Sequence, residues 1–132
     1  MGKNILIVED SETAATALEI ALSEIPGVSV LRAADGRRAW EYLTADSGHQ
    51  IDAVVTDLEV PLVDGFELIR RVRERDGFVS LPIVVLSGQS DPQASERVLQ
   101  LGANAYFRKP WSAREIKERM ENLLNSSEGR AP

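Results

Sequence analysis

The sequence predicts an α/β fold in which five parallel strands and five helices form a doubly wound sheet. Five short runs of apolar and β-branched residues alternate strictly with segments whose apolar residues recur at helical spacing. The runs are almost continuously apolar, which is typical of parallel strands that are buried on both faces. Because crossovers between parallel strands are right-handed, few topologies remain, and we expect the strand order 2-1-3-4-5.

The first two strands are predicted over residues 3–8 and 28–32, and an amphipathic helix follows each of them. The first helix is predicted over residues 12–25, where Pro26 and Gly27 end it. The second helix begins after Asp35, which is a common N-cap residue type. The apolar residues assigned to the inner faces are Ala14, Leu18, Ala21, Leu22 and Ile25 in the first helix, and Ala39, Tyr42 and Leu43 in the second.

The third strand, predicted over residues 51–57, is the centre of the pattern and ends on Asp57. The helix after it is expected to begin at Asp64, with Glu67 as the partner residue of a capping box. We expect its inner face to carry Phe66, Ile69 and Val72 and its solvated side to carry Arg70, Arg71, Arg73 and Arg75.

The last two strands are predicted over residues 81–86 and 103–109. Asp91 and Pro92 are a cap and a first helical residue for the fourth helix, which Gly102 ends. Ser112 and Glu115 form a capping box for the fifth helix. The apolar residues assigned to the inner face of the fourth helix form only a narrow stripe of Ala94, Val98 and Leu101. Those of the fifth helix are Ile116, Met120, Leu123 and Leu124.

Length and composition indicate one globular domain. The chain has 132 residues, and we expect a folded domain over residues 1–125 followed by a flexible polar tail at 126–132. A net charge of -6 disfavours nucleic acid and anionic membranes as direct partners. The absence of cysteine excludes disulfides, thiolate metal sites and thiol catalysis. No N-terminal apolar run is long enough for a signal peptide, so we expect a cytoplasmic protein.

Polar residues stand where the predicted strands end. In a flavodoxin-like parallel sheet all strands end at the same edge, which is where ligands bind. We therefore expect a functional site there, with Asp57 at its centre, although Asp is also a common turn residue. The residues that this edge brings together are Glu9, Asp10, Asp57, Ser87 and Lys109.

The chemistry of these side chains favours a phosphoryl group beside a divalent ion. Three clustered carboxylates raise one another's pKa unless a cation lies among them, and oxygen ligands of this kind suit Mg²⁺. Lys109 and Ser87 add a positive charge and a hydroxyl donor, which stabilise further negative oxygens. Asp57 can then act as the nucleophile that accepts a phosphoryl group.

From about Lys3 to Leu124 the chain resembles the receiver domains of two-component response regulators. The residues that carry the resemblance are Glu9, Asp10, Asp57, Pro61, Asp64, Gly65, Ser87, Gly88, Tyr106, Lys109 and Pro110. The resemblance implies that Glu9, Asp10, Asp57 and the backbone carbonyl of Glu59 hold Mg²⁺. It also implies that a histidine kinase or phosphotransfer protein phosphorylates Asp57, and that Ser87 and Lys109 bind the phosphoryl oxygens.

The resemblance further implies a switch. Ser87 and Tyr106 are expected to move together on phosphorylation and to remodel the face formed by the fourth helix, fifth strand and fifth helix, which binds a downstream protein target. Such a domain catalyses only its own phosphorylation and dephosphorylation and is not an enzyme with an outside substrate. The peptide bond before Pro110 is often cis in this family.

Two residues depart from the family pattern. Glu59 stands where Met or Asn is often found, and its charge is expected to lie beside the mouth of the site, unless the side chain points to solvent. Ser87 replaces the commoner Thr and keeps its hydroxyl.

Other functions share parts of this pattern. A Mg²⁺-dependent aspartyl phosphatase of the dehalogenase type needs a second Asp two residues after the nucleophile, where this chain has Glu59. A flavodoxin-like electron carrier needs a first loop that binds phosphate. In this chain the corresponding loop carries Glu9, Asp10 and Glu12, whose negative charges repel a phosphate group. A protein-interaction module that works without phosphorylation remains an open alternative.

Overall fold

The computed structural model describes residues 2–45, 50–88 and 92–129. Within these residues five strands alternate with five helices. The strands are β1 (Lys3–Val8), β2 (Val28–Ala33), β3 (Ala53–Asp57), β4 (Ile83–Ser87) and β5 (Ala105–Arg108). The helices are α1 (Glu12–Ser23), α2 (Gly36–Thr44), α3 (Gly65–Glu74), α4 (Pro92–Leu101) and α5 (Ala113–Gly129).

The predicted sheet is confirmed. All strand pairs are parallel and their order is β2-β1-β3-β4-β5. The register aligns the strand ends, because Val8 lies opposite Thr56 and Ser87 lies opposite Arg108. Glu9, which follows β1, is therefore level with Asp57, whereas Lys109, which follows β5, lies one residue beyond the level of Ser87.

Two apolar clusters cover the sheet, one on each face. Leu6, Val54 and Val85 pack with α2, α3 and α4 on one face, whereas Ile7 and Val55 pack with α1 and α5 on the other. Neighbouring strand residues divide between the faces because side chains alternate along an extended chain. Every residue of β3 and β4 is buried, which explains their continuously apolar sequences.

The predicted helix caps are largely confirmed. The side chain of Asp35 accepts the Arg38 N–H, and Asp64 accepts the Glu67 N–H. The hydroxyl of Ser112 accepts the Glu115 N–H. The proposed cap at Asp91 lies outside the described residues. These bonds satisfy N–H groups that the first helical turn leaves unpaired.

Two assignments on α3 are wrong. Glu67 does not complete a capping box, because its carboxylate is taken by Arg70 and Arg71 on the same helix. Arg73 is not part of the solvated side. It is half-buried and donates hydrogen bonds to carbonyl groups on two neighbouring connections. Helical spacing alone does not show which polar residues the neighbouring segments cover.

Some boundaries also differ from the prediction. In α1 the buried alanine is Ala15, and Ala14 is only half-buried. Helix α5 runs to Gly129, beyond residue 125, where the folded domain is expected to end. Among the described residues, no helix combines the length and apolar composition needed to cross a membrane.

Gly36 shows how tightly the loop after β3 packs on the first turn of α2. Its N–H donates to the Pro61 carbonyl at 3.2 Å. A Cβ atom at this position would lie only 1.6 Å from the carbonyl oxygen of Val63, which belongs to the backbone and cannot simply rotate away.

We expect Gly36→Ala to lower the free energy of unfolding by roughly 1–3 kcal/mol, the usual range for overpacking. Urea denaturation of both proteins measures this. Gly2→Ala is the matched control, because a Cβ there makes only an ordinary contact of 3.5 Å. Alanine favours helix over glycine, so a variant as stable as the wild type would show that the loop yields and that the packing is loose.

Candidate functional site

Asp57 lies at the centre of the carboxyl edge of the sheet. It is the last residue of β3 and only 3% exposed. One carboxylate oxygen, Oδ1, accepts the Glu59 N–H at 2.9 Å. The other, Oδ2, lies 3.3 Å from Nζ of Lys109. The strand fixes the carboxylate by packing, and a backbone donor and a cation orient its two oxygens.

Glu9 is the second buried acid of the site and is 5% exposed. Its Oε2 accepts the Ser11 N–H at 3.0 Å, whereas Oε1 is buried without a partner among the described residues. Burial raises the pKa of Glu9 to about 7, and the neighbouring Asp57 carboxylate adds to the effect. A buried anion without a full set of partners is unfavourable, so this pair of acids favours a bound cation.

Lys109 follows β5 directly. Its backbone N–H donates to the Ser87 carbonyl at 2.8 Å, which ties the residue after β5 to the end of β4. Burial alone would lower the pKa of Lys109, but attraction to Asp57, Glu9 and Glu59 raises it above its usual value. The ammonium therefore stays charged at neutral pH beside Asp57.

Asp10 is exposed, whereas its neighbour Glu9 is buried. Within residues 2–45, 50–88 and 92–129, no group of three or more acidic or histidine side chains is arranged to hold a metal ion. Glu9 and Asp57 are neighbours at the site, and a metal-binding role for Asp10 stays a prediction.

The side chain of Glu59 lies near Gly88. A Cβ atom built on Gly88 would be 3.7 Å from Oε1 of Glu59 and 3.4 Å from Cδ of Lys109. The Glu59 residue is exposed, and its charge helps to raise the pKa of Lys109. An effect of the Glu59 charge on the approach to Asp57 stays a prediction.

Ser87 and Tyr106 occupy neighbouring strands. Ser87 ends β4 and is fully buried, whereas Tyr106 in β5 is half-buried against the cluster beneath α2, α3 and α4. The Tyr106 hydroxyl is buried and has no hydrogen-bond partner among the described residues. The peptide bond between Lys109 and Pro110 is cis, as expected.

The sequence did not indicate the backbone donors of the site. The N–H groups of Glu59 and Ser11 bind the two buried acids, and the Lys109 N–H binds β4. Backbone groups are the same in every residue, so only the path of the chain shows where they point.

Some of the oxygen atoms at the site are suitable ligands for a hard divalent cation. Glu9 supplies an unpaired buried oxygen and Asp57 lies beside it, and both are the oxygen ligands that Mg²⁺ prefers. Mg²⁺ usually keeps several waters and needs few protein carboxylates. Two carboxylates and a backbone carbonyl are therefore a sufficient starting set.

Comparisons of the sequence with known proteins agree on one protein family. The sequence model of the response regulator receiver domain matches residues 5–121. The chain is 28% identical over 125 residues to a chemotaxis protein CheY homolog of Campylobacter jejuni, covering 95% of each chain. It is 37% identical over 127 residues to the virulence transcriptional regulatory protein PhoP of Salmonella typhimurium, covering 96% of this chain and 54% of PhoP.

Solved structures agree with the sequence comparison. The signal receiver domain of a signal transduction histidine kinase from Syntrophus aciditrophicus superposes with a TM-score of 0.85 at 30% identity, covering 99% of this chain and 96% of that one. The chain thus spans nearly all of some relatives and about half of others.

We expect Glu9→Gln to stabilise the fold at pH 8 in EDTA. The folded-state pKa of about 7 lies above the usual value of 4.5, so the native protein binds an extra proton between these pH values. Stability is therefore lost as pH rises through this window, by at most about 3 kcal/mol. Glutamine removes that loss, and we expect a gain of about 1–3 kcal/mol at pH 8 that largely disappears at pH 5.

Urea denaturation at both pH values measures the gain. Glu96→Gln is the control, since Glu96 is exposed on α4. A gain at pH 5 equal to that at pH 8 would contradict the assignment of the effect to the Glu9 charge.

Proposed function

The chain belongs to the response regulator receiver domain family, and from this premise we propose that Asp57 accepts a phosphoryl group from a phosphohistidine of a kinase or phosphotransfer protein. Receiver domains are phosphorylation-dependent signalling switches of two-component systems and interact with histidine kinases and downstream targets. They are not enzymes in the usual sense. The observation that most supports the proposal is the orientation of the buried Asp57 carboxylate by Lys109 and the Glu59 N–H.

The chemical step follows from the positions of these groups. A carboxylate oxygen of Asp57 attacks phosphorus, a P–O bond forms, and the P–N bond breaks so that the imidazole leaves with the electron pair. Nζ of Lys109 and the hydroxyl of Ser87 stabilise the negative phosphoryl oxygens. Hydrolysis of the acyl phosphate by water returns the free carboxylate and inorganic phosphate.

A divalent cation completes the site in this proposal. Glu9, Asp10, Asp57 and the backbone carbonyl of Glu59 would hold Mg²⁺, which supplies positive charge to the phosphoryl oxygens. Glu9 and Asp57 are already close, and the unpaired Oε1 of Glu9 supports the assignment. Asp10, which is exposed, would turn towards the site on binding.

Phosphorylation is proposed to reach a protein-binding face through Ser87 and Tyr106. A serine hydroxyl drawn towards the phosphoryl group leaves space that an aromatic ring can fill, and this biases a two-state equilibrium. The face consists of α4, β5 and α5 and would bind the downstream protein. The buried hydroxyl of Tyr106 has no hydrogen-bond partner among the described residues, and this supports a residue with two arrangements, since such a group is costly in a single static state.

We expect acetyl phosphate with Mg²⁺ to add one phosphoryl group, at Asp57. Mass spectrometry of the intact protein and of its peptides detects the group and its position. Asp57→Asn is the matched variant, because asparagine keeps the shape of the side chain and removes the nucleophile. Phosphorylation that persists in this variant, or that proceeds equally well in EDTA, would contradict the proposed site and its metal.

We expect Glu59→Asn to speed phosphorylation by acetyl phosphate severalfold, roughly 2- to 10-fold, since 1.36 kcal/mol of reduced repulsion corresponds to a factor of ten. The Glu59 carboxylate lies near Lys109 at the mouth of the site, where it repels an anionic donor. Hydrolysis of the phosphorylated form is expected to change as well.

Glu59→Gln separates charge from size, because it keeps the length of the side chain. Both variants should lose the salt dependence of the wild-type rate, which is expected to rise with ionic strength as the repulsion is screened. Equal rates for all three proteins at low ionic strength would mean that only the backbone of Glu59 matters.

A further inference from the structure

Arg73 joins three segments at the amino edge of the sheet, opposite the edge that carries Asp57. Its guanidinium donates to the carbonyls of Gly102 at 2.8 and 3.0 Å, Phe78 at 2.8 Å and Leu81 at 2.7 Å. It also donates to Oδ1 of Asn104 at 3.1 Å. We call Arg73 and these four acceptor residues the Arg73 clamp.

The charge of Arg73 is balanced by the end of a helix. Within the described part of the chain, the hydrogen bonds of its guanidinium all go to neutral oxygens and none to a carboxylate. Gly102 directly follows the last residue of α4, where the carbonyl groups give the helix dipole its negative end. The guanidinium therefore binds the C-terminal end of α4 specifically, by charge as well as by hydrogen bonds.

The turn that Arg73 holds has little freedom of its own. Gly102 has a φ of +113°, and its N–H donates to Leu99 while the Ala103 N–H donates to Val98. Asn104 exchanges bonds with Ile83, because its Oδ1 accepts the Ile83 N–H and its own N–H donates to the Ile83 carbonyl. This end of α4 is thus fixed to the first residue of β4.

The Gly102 position also has no space for movement towards Arg73. A Cβ atom there would lie 2.8 Å from Nε of Arg73. The close approach of the guanidinium and the backbone shows that the clamp is fully packed.

The other end of α4 is connected to the phosphorylation site. Helix α4 begins at Pro92, a few residues after Ser87, whose hydroxyl is proposed to move towards the phosphoryl group. Of the α4 residues whose burial is described, 93–101, Ala94 and Val98 are the buried ones. Small side chains of this kind resist a change of helix orientation weakly, because few atoms interlock with the sheet.

We propose that the Arg73 clamp is the pivot about which α4 moves when Asp57 is phosphorylated. The N-terminal end of the helix swings, the C-terminal end stays at Gly102, and the displacement decreases along the helix. At about 1.5 Å per residue the ten residues form a lever of roughly 15 Å, so a small rotation moves one end by ångströms and the other hardly at all. This inference rests on the proposed function and makes Arg73 a positioning residue, distant from the chemistry.

Beryllofluoride with Mg²⁺, which mimics the phosphoryl group, provides the test in NMR spectra of the full chain. In the wild type, the shift changes of backbone amides should be largest at residues 93–95, near the start of α4, and smallest at residues 99–104, around its end. In Arg73→Met, which keeps the aliphatic stem and loses all donors, the changes should spread through residues 99–104. Amide exchange in those residues should become at least threefold faster.

Matched variants separate the pivot from a general loss of stability. Arg70→Met removes an arginine of the same helix whose partners, Glu67 and Glu74, also lie on α3, and it should keep the wild-type gradient. Arg73→Lys keeps the charge but cannot reach all four acceptors together, so it should spread the changes even if Arg73→Met fails to fold. Phosphorylation of the folded variants by acetyl phosphate should stay within twofold of the wild-type rate.

Two results would overturn the proposal. The first is a wild-type spectrum in which the amides of residues 99–104 shift as much as those of residues 93–95. The second is a folded Arg73→Lys or Arg73→Met protein that keeps the wild-type gradient. A wild-type protein in which beryllofluoride shifts no resonance near Asp57 would instead refute the proposed function, on which the pivot depends.

Discussion

The burial of two carboxylates side by side is the interaction on which this molecule depends. Glu9 and Asp57 lie at the ends of adjacent parallel strands, and each is at most 5% exposed. Burying like charges is unfavourable, and Lys109 and the backbone N–H groups of Ser11 and Glu59 offset only part of the cost. In the proposed function, an added cation and a phosphoryl group would offset the rest of this cost. Functional sites commonly have a lower stability than an optimised site would have.

The rigid sheet makes such a site possible. Asp57 ends a strand that is buried along its whole length. In the register of the sheet Glu9 is level with Asp57, and Ser87 and Lys109 follow within two residues of that level. Parallel strands can only be joined by crossovers, so these residues come from distant parts of the sequence. Their relative positions depend on the packing of both faces of the sheet, and a charge change at the site can act on a helix packed there.

The two edges of the sheet have different roles in this account. The carboxyl edge carries the reactive groups and loops with exposed residues such as Asp10 and Glu59. At the amino edge, Arg73 ties the connections before β4 and β5 together and holds the end of α4. A helix that joins a chemically active edge to a fixed one is suited to convert a local change into a movement of one end. The family to which the chain belongs includes proteins of about this length and longer regulators.

The sequence by itself determined the fold and predicted which residues lie at the carboxyl edge of the sheet. Apolar runs followed by Asp57, Ser87 and Lys109 favour the observed strand order, and that order brings the strand ends together. Local signals such as Asp64 and Ser112 also located helix starts, because a cap is a contact between near neighbours. Tertiary structure alone decided the roles of residues that look alike in the sequence. Glu9 is buried and Asp10 exposed, and Arg73 binds the α4–β5 connection while Arg70 stays on the surface of α3. The physical reason is that the charge of a residue and the spacing of apolar residues describe one helix or strand at a time. Burial and hydrogen bonding depend on which other segment packs against that helix or strand.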